Sequence, residues 1–190
     1  MVGACLVVLS VSACGGSGHK HAHTTGANAA SSASAIACQP ATLAAMARFL
    51  AVKPASITTS ASTGNNAMPQ CTFTAQLAPA KRVVALANVD NGPSPYFRLE
   101  RTEVEAAQPF TSKRLSLPPQ AVTGLGIEAD WFPQYPQLMA TDGARLITVS
   151  VTWRGATQSR ERALAKALAR TYLRKLSKAA VAKALGYPSG

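Results

Sequence analysis

The sequence predicts an α+β fold: an antiparallel sheet of about five or six strands packed with an N-terminal helix, a middle helix and a long C-terminal helix. Three observations carry that prediction. Apolar and polar residues alternate in "CTFTAQL", "RVVALANV" and "ARLITVSVTW", the period of a half-buried strand. Short turn signals, Pro79-Ala80 and Asp142-Gly143, separate neighbouring strands, so the strands pair antiparallel. At either end of the folded region, apolar residues recur at helical spacing.

Taken in chain order, "VGACLVVLSVSA" (residues 2–13) is a short apolar block ending in small residues. Its length and ending are those of a secretory leader rather than a membrane span. The site that follows, Val11-Ser12-Ala13-Cys14, resembles the bacterial lipobox. That resemblance implies cleavage before Cys14 and acylation of its thiol, with residues 1–13 removed as a lipoprotein signal peptide. No Lys or Arg precedes the apolar block, a departure that a start codon upstream of Met1 would explain. Residues 14–37 are rich in Gly, Ser, Thr and Ala and read as a flexible tether. All of the histidines, His19, His21 and His23, lie there; they are a weak metal candidate, since no carboxylate or thiolate accompanies them.

The folded domain is expected over 38–176, with 177–190 the basic end of the last helix and a tail. "QPATLAAMARFLAV" carries Pro40 near the first helical position and Leu43, Met46, Ala47 and Leu50 on one face. Strands follow at 71–77 and 82–89. "SPYFRLERTEVEAAQ" fits a helix, with Ser94 as cap, Pro95 at the first position and Phe97, Arg101 and Val104 aligned. "VTGLGIEADWF" reads as a short strand entered through two glycines that need positive φ. "QLMAT" and "ARLITVSVTW" flank Asp142-Gly143, the strongest hairpin signal in the chain. The last helix is expected from about Thr157 to Leu185, with Leu164, Leu168, Tyr172 and Leu176 on one face. Arg162, Lys166, Arg170, Arg174 and Lys178 lie close to the opposite face.

The chemistry is sparse. Without a histidine in the domain, Ser-His-Asp and Cys-His arrangements are excluded. Cleavage at Cys14 would discard Cys5 and use Cys14, leaving Cys38 and Cys71, which in an exported chain read as a disulfide. Glu128 and Asp130 share a face beside Trp131 and are the one carboxylate pair that glycoside hydrolysis could use, though a solvated strand face is the stronger reading. Trp131, Tyr135 and Trp153, with Phe132, either line a ligand groove or fill the core, and core is favoured. We therefore expect no enzymatic activity, no cofactor and no resident metal.

Charge is the remaining signal. The chain carries a formal net charge of +11. From Arg160 to Lys183 eight basic residues stand against Glu161 alone, a net of +7. So basic a helix face is either a solvated one whose C-terminal cations complement the helix dipole, or a surface for anionic phospholipid or an acidic wall polymer. A lipid anchor with a polybasic face is a two-signal membrane attachment. Nucleic acid is not an expected partner.

With Cys38, Cys71, Gly124, Leu125, Gly126, Ala129, Trp131, Asp142 and Gly143 in place, the chain resembles families of small secreted lipoproteins from high-GC Gram-positive, actinobacterial-type bacteria. The resemblance covers about residues 38–176. It implies an α+β sandwich, a helix disulfide-linked to a strand, and no established catalytic residues. The function expected is that of a non-enzymatic cell-envelope lipoprotein at the outer face of the plasma membrane. It would bind a protein partner, a wall component or a small ligand there. The alternative is a structural accessory of a membrane complex docked through the basic C-terminal helix, and a wall-polymer hydrolase ranks below both.

Overall fold

The computed structural model describes residues 35–63, 68–90, 97–99, 101–102, 106 and 117–177. The leader, Cys14 and the three histidines lie outside the described residues, as do Ser94, Pro95, Val104 and Lys178. The described elements are helix α1 (Pro40–Leu50), a short 3-10 turn (Pro54–Ser56), strands β1 (Ile57–Thr63), β2 (Pro69–Ala78), β3 (Lys81–Asp90), β4 (Gln120–Ala121), β5 (Glu128–Phe132), β6 (Gln137–Thr141) and β7 (Leu146–Trp153), and helix α2 (Gln158–Lys175). The fold is α+β, as expected.

One antiparallel sheet of seven strands runs in the order β1-β2-β3-β7-β6-β5-β4. It consists of two meanders, β1 to β3 and β4 to β7, joined where β3 pairs with β7 from Val83–Trp153 to Asp90–Leu146. The strand count exceeds the expected five or six because β1 and β4 carry little hydrophobic signal. In β1, "ITTSAST", only Ile57 is buried. It is a strand because each residue pairs with β2, from Ile57–Ala75 to Thr63–Pro69. Threonine's branched side chain suits a pleated edge even where nothing apolar is gained.

Alternation sends one set of side chains to each face. Phe73, Ala85, Ala87, Leu138, Val149, Val151 and Trp131 form the core with Met46 and Ala47 of α1 and Leu164, Leu168 and Tyr172 of α2. Small residues on β3 let the helices approach the sheet closely. Across the other face runs a polar ladder. Ser62 donates to Gln70 at 2.9 Å, and Gln70 donates to Asn88 at 2.8 Å.

The two helices lie side by side and antiparallel on the core face. The Tyr172 hydroxyl near the end of α2 donates to the Ala37 carbonyl, just before α1 begins. Phe49, at the other end of α1, meets Trp153 edge-on at 6.5 Å, beside the turn that leads into α2. A disulfide, Cys38–Cys71, with Cα atoms 5.1 Å apart, pins the start of α1 to β2. The folded part therefore starts earlier than the expected boundary at Cys38. Residues 35–37 are helical, and Ala37 is fully buried. Tyr172 and the disulfide hold this stretch in place.

Helix α2 ends at Lys175, ten residues short of the expected Leu185. Leu176 leaves the helix with extended backbone (φ −83°, ψ 122°) and turns into the core. The basic segment after it is therefore no continuation of α2 at residues 176 and 177. Of the middle helix, residues 97–99, 101–102 and 106 are helical. Phe97 packs with Phe132, Met139 and Leu146, covering one end of the sheet on the face opposite α1 and α2.

Candidate functional site

The basic row of α2 is the feature from which a site would be built, and the structure divides it. Arg162 donates to the Gln120 side chain at 2.9 Å and to the Ala121 carbonyl at 3.0 Å. Lys166 donates to the Thr123 carbonyl at 2.8 Å, and Arg170 reaches the Gly124 carbonyl at 3.5 Å. Spacing of four residues puts these cations in line along the helix, and the 120–124 segment lies beside them presenting carbonyls. Three of the five expected basic residues thus fasten strand β4 and its loop to α2. Arg174 is exposed and Lys178 lies outside the described residues.

Beyond Arg170, the cations turn toward α1. A groove of about 520 Å³ runs between the two helices, floored by Ala41, Ala44, Ala45 and Ala167, with Phe49 at one end. Four cations rim it: Arg48 from α1 and Arg170, Arg174 and Lys175 from α2. Arg48, Arg174 and Lys175 are exposed. Their side chains have no hydrogen-bond or ion-pair partner among the described residues. Sequence reasoning missed Arg48, because it lies on another helix, and Lys175, which falls outside the four-residue repeat.

The aromatic candidates do not form a groove. Trp131 and Trp153 are 1% and 6% exposed and belong to the core. Trp153 is enclosed by Phe49 and by the Arg160 guanidinium, 4.4 Å from its ring centre. Tyr135 sits half-buried in the turn between β5 and β6. The two tryptophans take inward positions on β5 and β7, on either side of β6, and help to fill the sheet-to-helix space.

Glu128 and Asp130 do share a face, and each meets an arginine of the middle helix. Arg98 lies 3.6 Å from Glu128 and Arg101 lies 3.2 Å from Asp130. Each carboxylate of the expected pair thus faces an arginine.

Three buried polar groups outside the expected site organise the elements around it. Glu161, in the first turn of α2, accepts from the Trp153 backbone amide at 3.0 Å. Tyr172 is buried under α1, and burial pushes its phenol well above its ordinary value, only partly offset by the Thr42 hydroxyl. Arg145 is 5% exposed. It donates to Asp142 at 3.0 Å through Nε, to the Leu173 carbonyl at 2.9 Å and to the Leu176 carbonyl. Its fork caps the open carbonyls at the end of α2, where a cation is favoured.

The two glycines entering β5 hold positive φ, +70° at Gly124 and +63° at Gly126. Gly126 also lies against β6: a Cβ there would sit 2.2 Å from the Thr141 carbonyl oxygen. No family model, no curated protein and no solved structure matches the chain.

Proposed function

We propose that this chain is an exported, lipid-anchored protein of the cell envelope. Its folded part binds a partner at the outer face of the plasma membrane rather than catalysing a reaction. One observation carries the reading: the Cys38–Cys71 disulfide staples the first helix to the sheet. Such bonds persist in oxidising, extracytoplasmic surroundings. The Val11-Ser12-Ala13-Cys14 segment supplies the anchor, and the sequence to residue 34 supplies the tether. A binding role is supported by the four-cation groove and by the arginines that occupy Glu128 and Asp130. No helix among the described residues is long and apolar enough to cross a membrane.

The accessory reading, docking through the C-terminal helix, keeps support only at the end of α2. Arg162 and Lys166 are already committed to carbonyls of the 120–124 segment, whereas Arg174 and Lys175 are free to meet a partner. Fractionation of producing cells tests the proposal. The wild-type chain should sediment with membranes and be released by detergent but not by high salt, whereas high salt should release Cys14→Ala. A chain in the cytosolic fraction irrespective of Cys14 would refute it.

A further inference from the structure

We infer that the groove between α1 and α2 is a seat for the head group of an anionic phospholipid, so that the helical layer lies on the membrane surface. The inference rests on the reading of the chain as membrane-anchored and adds which face meets the bilayer, and through which residues.

Charge complementarity selects the ligand class. Arg48, Arg170, Arg174 and Lys175 converge on one groove from two helices, with no carboxylate lining it. Arginine's planar fork suits phosphate oxygens and lysine adds a mobile point charge. The alanine floor offers a strip of small apolar surface on which the glycerol and first methylenes of an acyl chain can lie, and Phe49 closes one end. A free inorganic anion would use the cations but gain nothing from the floor. A phospholipid uses both.

Position makes a bilayer the occupant. The chain enters the fold at Ala37, which Tyr172 ties to the last turns of α2, next to Arg174 and Lys175. A flexible stretch of the length between Cys14 and residue 34 spans roughly 25 Å on average. An acyl anchor would therefore hold the groove within reach of the same leaflet at high local concentration. The opposite face of the sheet points away from the helices; it carries the neutral ladder of Ser62, Gln70 and Asn88, with Arg82 and Arg154 beside the β2–β3 turn.

The test uses the full chain with Cys14→Ser, so that no acyl group contributes, and cosedimentation with vesicles. Vesicles of phosphatidylcholine containing about one-third phosphatidylglycerol should capture the protein, and pure phosphatidylcholine should not. Arg48→Gln/Arg174→Gln/Lys175→Gln should cut partitioning by roughly fivefold per cation, on the order of a hundredfold together. Lys81→Gln/Arg82→Gln/Arg154→Gln removes the same charge elsewhere: at the β2–β3 turn and just after β7. It should retain most of the binding. Ala44→Glu keeps every cation but puts a carboxylate on the half-buried floor; it should abolish capture, and it decides the matter if the triple variant does not fold.

Equal loss in both triple variants would mean diffuse charge attraction and would overturn the groove. So would capture by Ala44→Glu at wild-type strength, or no preference for phosphatidylglycerol. Complete displacement by inorganic phosphate or by a soluble anionic wall polymer, each at the lipid phosphate concentration, would reassign the groove to that ligand and overturn the membrane seat. None of these outcomes depends on acylation, so the anchoring proposal fails or stands separately, in cell fractionation.

Discussion

The Arg145 guanidinium donates to the Leu173 carbonyl at 2.9 Å, joining the β6–β7 turn to the last turn of α2 across 28 residues of sequence. The same side chain is ion-paired with Asp142 at 2.5 Å. Turn and helix end are thus one charged, largely buried unit, and it fixes where α2 stops and where the cationic groove ends.

Arg145→Met should be strongly destabilising. It removes the cation from a half-buried carboxylate and uncovers helix-terminal carbonyls, a loss of about 3 kcal/mol. Urea unfolding should show the midpoint shift. Hydrogen exchange should show amides of the last turn of α2 opening well before those of β3.

Acid should weaken the same unit. Burial opposes ionisation of Asp142, but the hydrogen bond from Arg145, the Ala144 amide, the Arg145 charge and the Arg145 amide together outweigh it, and its pKa is lowered. A carboxyl depressed in the folded state contributes stability that is complete above its unfolded value, about 3.9. That contribution is lost as pH falls through the folded value. The stability difference between wild type and Asp142→Asn should therefore be constant from neutral pH to about pH 4 and shrink below it. Chemical denaturation across that range measures it; a difference independent of pH down to the acid transition would show that the pair is not coupled.

Gly126→Ala should cost about 2–4 kcal/mol, combining a left-handed backbone with a clash against the Thr141 carbonyl. Gly124→Ala, where a Cβ meets nothing within 4 Å, should cost only about 1 kcal/mol. Thermal unfolding of the two variants side by side separates conformational strain from steric contact.

Replacing Arg162 and Lys166 together by Ala should lower global stability by no more than about 1 kcal/mol, because both are solvent-accessible. Locally the change should be larger. The Val122 amide, bonded to Ala129 at 2.8 Å, should exchange faster as the 120–124 segment comes loose.

Cys38→Ala/Cys71→Ala should lose about 3–4 kcal/mol, the chain-entropy value for a loop of this length. The loss should concentrate in the entry to α1. Tyr172→Phe, which removes the hydroxyl bonded to Ala37, should add about 1 kcal/mol to it.

Much of the fold was legible because its strands alternate cleanly. Cys71, Phe73 and Ala75 all point inward, and so do Val83, Ala85, Ala87 and Val89. α1 was legible through Pro40 and its apolar spacing. β1 was not, since Thr and Ser in a row read as loop until a partner strand is known, and β4 is only two residues long. The end of α2 was hidden because its stop is imposed by Arg145, far away in sequence. For the candidate site, the periodicity of Arg162, Lys166 and Arg170 was visible, but their partners are backbone carbonyls more than 40 residues distant, at positions no side-chain pattern marks. The groove needed Arg48 from a second helix, and only the antiparallel packing of α1 on α2 brings it there.

We propose that a diacylated Cys14 moors the disulfide-stapled domain outside the cell. Intact-mass spectrometry of the protein extracted from membranes, with and without reduction and alkylation, tests it most directly. The expected product is a chain beginning at residue 14, heavier by its lipid, with Cys38 and Cys71 alkylated only after reduction. A chain that retains residues 1–13, carries no lipid and alkylates at both cysteines without reduction would contradict it.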